Sequence, residues 1–229
     1  MENKIKDLRQ EIFKFEQSSN FNKNDFFVSE CNYFAFNLIK SWPNWEKKIL
    51  NIYGDRKSGK SHLSEIFLED KKGIKISAKE LDKKIFDKIK NYKNIVIEDF
   101  NEKCDEETAY SLIDAIEKEN KYLLITSYRA LNEMETKLKD LNSRFKNILL
   151  AKIDKPDDDL IYALIVKNFS DNQIILDKKL ISFICKRIPR SFNKISEFIC
   201  TIDEISLKKK KPINMKIIKE ILEDKFDVI

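Results

Sequence analysis

The stretch Asn51-Ile52-Tyr53-Gly54-Asp55-Arg56-Lys57-Ser58-Gly59-Lys60-Ser61-His62-Leu63 decides how this chain is read. It fits G-x-x-x-x-G-K-[ST] directly after an apolar run, which is the form of a phosphate-binding P-loop. The chemistry requires this spacing, because loop N–H groups must wrap the phosphate oxygens, Lys60 must reach the outer phosphates, and the Ser61 hydroxyl must face Mg²⁺. A helix that starts at Lys60 also points its positive end at the same anion. The whole chain has only three glycines, and two of them, Gly54 and Gly59, occupy the fixed positions of the motif. The nucleotide-binding candidates are therefore Gly54, Asp55, Arg56, Lys57, Ser58, Gly59, Lys60, Ser61 and His62, the histidine serving equally well for packing or capping.

Outward from the loop, apolar runs alternate with helical periodicity. Before it, Ser29 is a candidate N-cap for a helix carrying Tyr33, Phe34, Asn37, Leu38 and Trp42, stopped by Pro43 and followed by a strand at Ile49–Tyr53. After the P-loop helix comes a short strand at Ile74–Ser77. Leu81, Ile85 and Ile89, spaced by four, predict a helix. Asn94-Ile95-Val96-Ile97-Glu98-Asp99 then reads as a buried strand ending in two carboxylates. Asp105 caps a predicted helix through about Glu119, and strands follow at Tyr122–Thr126 and Ile148–Ile153. This order predicts an α/β fold: a five-stranded parallel sheet covered on both faces, with ligand at the strand C-termini. From Pro156 onward every apolar segment is helix-like, which predicts a small all-helical lid. The predicted divisions are an N-terminal extension at 1–25, a nucleotide-binding core at 26–154 and the lid at 155–229. The Lys208–Lys211 run is read as a solvated turn between the last two helices.

With 44 basic and 39 acidic residues spread along 229 positions, the net charge of +5 gives no nucleic-acid signature. No apolar run reaches membrane length and no signal peptide opens the chain, so a cytoplasmic location without membrane contact is expected. Cys31, Cys104, Cys185 and Cys200 lack C-x-x-C spacing and have only His62 for company, which excludes the usual zinc patterns and predicts reduced thiols. Only six of the 44 basic residues are arginine. Where lysine is so dominant, a retained arginine points to a position that needs a planar fork.

The P-loop, the carboxylate-ended strand, the polar-ended strand and the helical lid resemble the AAA+ ATPases. Phe26-Phe27-Val28-Ser29-Glu30-Cys31-Asn32, Trp42-Pro43-Asn44-Trp45, Gly59-Lys60-Ser61-His62-Leu63, Thr126-Ser127-Tyr128-Arg129 and Asp140-Leu141-Asn142-Ser143-Arg144-Phe145 narrow this to the DnaA/Hda family. The resemblance covers essentially residues 8 to 224. It implies a bound ADP or ATP with Mg²⁺, and no dedicated DNA-binding domain. For the regulator branch of the family it also implies the sliding clamp and DnaA as partners, with a homo-oligomer as a further option. The implied function is a negative regulator of replication initiation that, with the DNA-loaded clamp, promotes hydrolysis of DnaA-bound ATP, having weak or no ATPase of its own. The alternative is a free-standing DnaA-like ATPase that loads or moves something on DNA or a helicase.

The resemblance also assigns roles to residues. Glu98 and Ser61 would hold the metal and Asp99 would orient the attacking water, although Glu98 is one methylene longer than the family's aspartate. Thr126 and Ser127 would contact the γ-phosphate or polarise water, while Tyr128 stands where initiators usually have aspartate. Arg144 would be an arginine finger acting in trans on a partner's ATP, against the competing reading of a salt bridge on a helix. Arg190 would sense nucleotide from the lid, against ordinary surface placement. Gln10, Phe13 and Phe15 would form a clamp-binding peptide, with Glu11 departing from the expected leucine.

Overall fold

The computed structural model describes residues 26–69, 72–171, 176–209 and 213–226. Gln10, Phe13 and Phe15 lie outside the described residues. Helix α1 spans Tyr33–Ser41, strand β1 Ile49–Gly54 and helix α2 Lys60–Leu68. Strand β2 (Gly73–Ser77) leads through a 3₁₀ turn to α3 (Ile85–Ile89), then β3 (Asn94–Phe100) and α4 (Glu106–Lys118). Strand β4 (Tyr122–Ser127), helix α5 (Lys139–Phe145) and strand β5 (Leu149–Ile153) follow. The remaining elements are helical: α6 (Asp158–Asp171), α7 (Lys178–Cys185), α8 (Phe192–Lys209) and α9 (Met215–Phe226).

The five strands pair in parallel in the order β2-β3-β4-β1-β5. Interior strand β1 is therefore flanked on both sides, by β4 and β5, and its C-terminal end delivers the P-loop to the edge of the sheet where a doubly wound sheet binds ligand. Each strand alternates its faces. Ile95, Ile97, Leu123 and Ile125 pack under α3, α4 and α5, while Val96, Leu124, Leu50 and Ile52 pack under α1 and α2. The helical unit has a separate core in which Ile161, Ile165, Phe198, Ile202, Ile218 and Leu222 are buried together.

Three local expectations change. Helix α1 begins at Tyr33 and not near Ser29, because the Asn32 side chain accepts from the Ser29 N–H at 3.0 Å and donates to the Phe27 carbonyl at 3.0 Å, holding the approach in a turn. The helix expected from Leu81 shortens to α3, since the Lys84 N–H is taken by the Asp82 carboxylate at 2.8 Å in a local turn. Helix α8 runs on to Lys209, so the first part of the lysine run is helical and not a turn. No helix among the described residues is long and apolar enough to cross a membrane.

One carboxylate ties the sheet domain to the helical unit. Asp157 caps α6 by accepting from the Leu160 N–H at 2.8 Å, and it also accepts from the Cys31 N–H at 3.1 Å. The neighbouring Asp154 N–H donates to the Cys31 carbonyl at 2.9 Å. Burial pushes the Asp157 carboxyl up, but the hydrogen bonds from Leu160, Ser29 and Cys31 outweigh this and hold it below its ordinary value. A carboxyl whose folded pKa lies below the unfolded one stabilises the fold above about pH 4 and loses that contribution as pH falls through the folded value. Thermal melts between pH 7 and pH 3 should therefore show an acid-side loss of stability that Asp157→Asn reduces; an unchanged slope in that variant would contradict the assignment.

Candidate functional site

The P-loop conformation follows from its glycines. Gly54 has φ 153°, and a Cβ there would meet the Ile153 carbonyl oxygen at 2.7 Å, so β5 passes too close for any side chain. Gly59, at φ 95°, immediately precedes α2, and a Cβ there would press on the Phe26 ring at 3.1 Å. Phe26 also sets its ring edge against His62, centroids 5.1 Å apart, and stacks on Phe36 at 5.7 Å. The segment before α1 thus forms a wall over the start of α2. His62 packs on that wall and lines the cleft described next.

A cleft of about 1510 Å³ opens between the sheet edge and the lid. Arg56, Lys57, Gly59, Lys60, Ser61 and His62 line one side of it, together with Asp99. Gly54, Asp55 and Ser58 do not line it; they form the base of the loop. Lys60 is 92% covered and its Nζ donates to the carbonyls of Gly54 at 2.8 Å and Asp55 at 2.6 Å. Burial pushes its ammonium pKa down, opposed by the charges of Asp99 and Asp55. Lys57, with φ 64°, reaches across to the lid and donates to the Ser196 hydroxyl at 2.9 Å. The opposite wall is a stripe of α8: Phe192, Ile195, Ser196 and Ile199. Those positions follow helical spacing, so their sequence signal is that of an ordinary core face, with no hint that the same stripe roofs a site.

The two carboxylates at the end of β3 separate. Ile97 pairs with Ile125 and Phe100 with Ser127, so Glu98 and Asp99 together oppose the single residue Thr126. This is a β-bulge, which inserts one residue, kinks the strand and re-aims a side chain. Asp99 sits in the left-handed region at φ 59°, and its N–H donates to Thr126 Oγ1 at 3.1 Å. Asp99 is thereby turned out into the cleft, and Phe100 returns to the face of Ile97. Glu98 does not line the cleft. Its Oε2 lies 3.6 Å from Lys75 Nζ on β2, Lys75 also pairs with Glu65 of α2, and Glu98 Oε1 is buried without a hydrogen-bond partner. Of the two carboxylates, Asp99 and not Glu98, the one expected to hold the metal, stands on the cleft wall, because the bulge leaves Glu98 with the edge-strand lysine.

The polar end of β4 likewise serves the scaffold. Thr126 and Ser127 are at most 1% exposed and do not line the cleft. The Ser127 hydroxyl donates to the Arg129 carbonyl at 2.6 Å and accepts from Asn51 Nδ2 at 2.8 Å. Asn51, wholly buried in β1, also donates to the Ile125 carbonyl at 3.0 Å and accepts from the Leu131 N–H at 3.1 Å. Tyr128, one residue on, is 60% exposed and does line the cleft, as do Lys79, Lys103 and Arg129.

Neither distant arginine lines the cleft. Arg190, expected to sense nucleotide from the lid, pairs with Asp158 at 2.8 Å at the start of α6. Arg144 pairs with Asp114 at 3.3 Å and with Glu117, both on α4. Among the described residues no cluster of three or more His, Cys, Asp or Glu could hold a metal. Asn51→Ala, which strands the Ser127 hydroxyl and the Leu131 N–H, should cost about 2–4 kcal/mol in denaturant unfolding. A loss within error of zero would show that β4 is held some other way.

No protein-family model matches the chain. It is 26% identical over 247 residues to the chromosomal replication initiator protein DnaA of Buchnera aphidicola subsp. Baizongia pistaciae, covering 95% of this chain and 53% of that protein. The chain thus spans about half the length of the curated relative it matches. Domain III of the Thermotoga maritima replication initiation protein DnaA superposes with a TM-score of 0.71 at 18% identity, covering 90% of this chain and 97% of that one. AMPPCP-bound DnaA from Aquifex aeolicus gives 0.66 at 18% identity over 84% of this chain and 70% of that one. The chain therefore has the AAA+ fold of DnaA domain III and is similar, over nearly its whole length, to about half of a DnaA protein.

Proposed function

We propose that this chain binds an adenine nucleotide between core and lid and, in that state, acts on DnaA, promoting hydrolysis of DnaA-bound ATP together with the DNA-loaded sliding clamp. The nucleotide part is carried by one observation: Lys60, Ser61 and Asp99 line one wall of a cleft roofed by α8. Phosphates would meet the loop N–H groups, the N-terminus of α2 and Lys60. Binding them exchanges the two carbonyl partners of Lys60 for an anion, which favours an ammonium already deprived of water.

The donor set fits a phosphate-bound Mg²⁺, which keeps several waters and uses one or two carboxylates or hydroxyls. Ser61 and Asp99 would hold it, since both line the cleft and Glu98 does not. Bound there, the ion would neutralise charge on the phosphate oxygens. Asp99 is then occupied by the metal, and Glu98 is paired with Lys75 away from the cleft. No second acid of the pair is left to orient water, which supports weak hydrolysis by the chain itself. The action on DnaA is supported by the similarity to DnaA and by Arg144 on α5, whose guanidinium would neutralise transition-state charge on the partner's ATP. Gln10, Phe13 and Phe15 would supply apolar anchors and an amide to a groove on the clamp.

Two measurements test this. Added ADP or ATP at about a hundred times its Kd should stabilise the wild type by about 2.7 kcal/mol and leave Lys60→Ala unchanged; equal stabilisation of both would contradict the site. In ATP turnover by DnaA with clamp-loaded DNA, Arg144→Ala should lose the acceleration, which for an arginine finger is on the order of 10³-fold or more. A variant as active as the parent would sink that role.

A further inference from the structure

Arg144 has several partners on α4. Its Nη1 donates to Glu117, and its Nη2 donates to Asp114 Oδ1 at 3.3 Å. The guanidinium carbon lies 5.9 Å from the centroid of the Tyr110 ring. Tyr110, Asp114 and Glu117 follow one another at i, i+4 and i+7, so they form a single stripe along α4 facing α5. The two helices are also joined at their other ends, where the Glu106 carboxylate accepts from the N–H groups of Lys137 at 3.1 Å and Leu138 at 2.8 Å. Leu141 and Phe145 bury the adjoining face of α5 in the core, which fixes the helix while leaving the Arg144 side chain 33% exposed.

Asp114 has a second claimant. Lys118, one turn further along α4, places its Nζ 2.6 Å from Asp114 Oδ2 and is itself 74% exposed. Ion pairs that solvent reaches, as it reaches both the Lys118 pair and the half-buried Arg144 pairs, are weak and exchange as side chains change rotamer. Arg144 is therefore held by contacts strong enough to bias its position and weak enough to release it without moving α5.

We propose that Tyr110, Asp114 and Glu117 form a sheath that folds Arg144 back onto its own subunit, with Lys118, on the other oxygen of Asp114, loosening it by drawing on the same negative charge. They are positioning residues: they set the fraction of time in which Arg144 extends to the ATP of a neighbouring AAA+ subunit. The proposal rests on the reading of Arg144 as acting on DnaA-bound ATP. A carboxylate stripe that merely splinted α4 to α5 would make every loosening variant less active or neutral. A sheath makes loosening activate.

The test is ATP hydrolysis by DnaA with clamp-loaded DNA, at fixed concentrations of this protein and its variants, with melting temperatures recorded alongside. The double variant Asp114→Asn/Glu117→Gln should raise the rate by about two- to fivefold, in proportion to the extended population released. Lys118→Ala, a surface change that leaves the charge of Asp114 to Arg144 alone, should lower it. Unchanged or reduced rates in the double variant, or an increase with Lys118→Ala, overturn the sheath while leaving an Arg144→Ala defect in place. If Arg144→Ala is as active as the wild type, the finger reading falls and the sheath falls with it. Should the double variant melt early, Glu117→Gln alone gives the same reading, with a smaller rise expected and no rise counting against the proposal.

Discussion

The hydrogen bond from the Asp99 N–H to Thr126 Oγ1 is the contact on which the character of the site depends. It stabilises a bulge in β3, and through it a left-handed residue that β geometry would otherwise exclude. In an unbulged strand Asp99 would share the face of Ile97 and lie under α4. With the extra residue, Phe100 takes that place in the core and Asp99 turns into the cleft beside Lys60. One hydrogen bond to the Thr126 side chain thus decides which of two adjacent carboxylates faces the cleft. It also leaves Glu98 to Lys75 on the edge strand, a lysine that Glu65 of α2 binds as well.

Buried polar side chains hold the surrounding frame at the points where the apolar core cannot specify geometry. Asn51 fixes the ends of β1 and β4 in register and anchors the chain after β4. Asp157 joins the segment before α1 to the first turn of α6. Lys57 reaches from the tip of the P-loop to Ser196 on the lid. Satisfied networks of this sort contribute specificity as well as stability, since each partner left unpaired would carry a desolvation penalty. Together they set the distance between the phosphate-binding loop and the α8 stripe that faces it. A ligand held as proposed would be shared by both units.

The strands, the P-loop and the helical unit were legible because each is encoded locally: apolar runs of strand length, glycines at fixed offsets, then a change of period after Asp154. Asp105, expected as a helix cap, does accept from the Thr108 N–H at 2.8 Å. What was not legible has a physical cause in common, namely that a polar residue's partner is supplied by another element. Thr126 and Ser127 sit at the right strand end, but their hydroxyls are used by the backbone of Asp99 and by Asn51. Arg190 and Arg144 are claimed by Asp158 and by α4. Glu98 and Asp99 are neighbours in sequence, and nothing local announces a bulge. The lid stripe from Phe192 to Ile199 has a helical period that burial and ligand contact produce alike.

The division of labour between the two carboxylates is the central claim, and calorimetric titration of ATP with and without Mg²⁺ tests it most directly. In Asp99→Asn the gain in affinity that Mg²⁺ gives the wild type should be largely lost, while Glu98→Gln should retain it. If Glu98→Gln abolishes the Mg²⁺ effect and Asp99→Asn preserves it, the bulge does not select the ligand-facing acid and the account of the site is wrong.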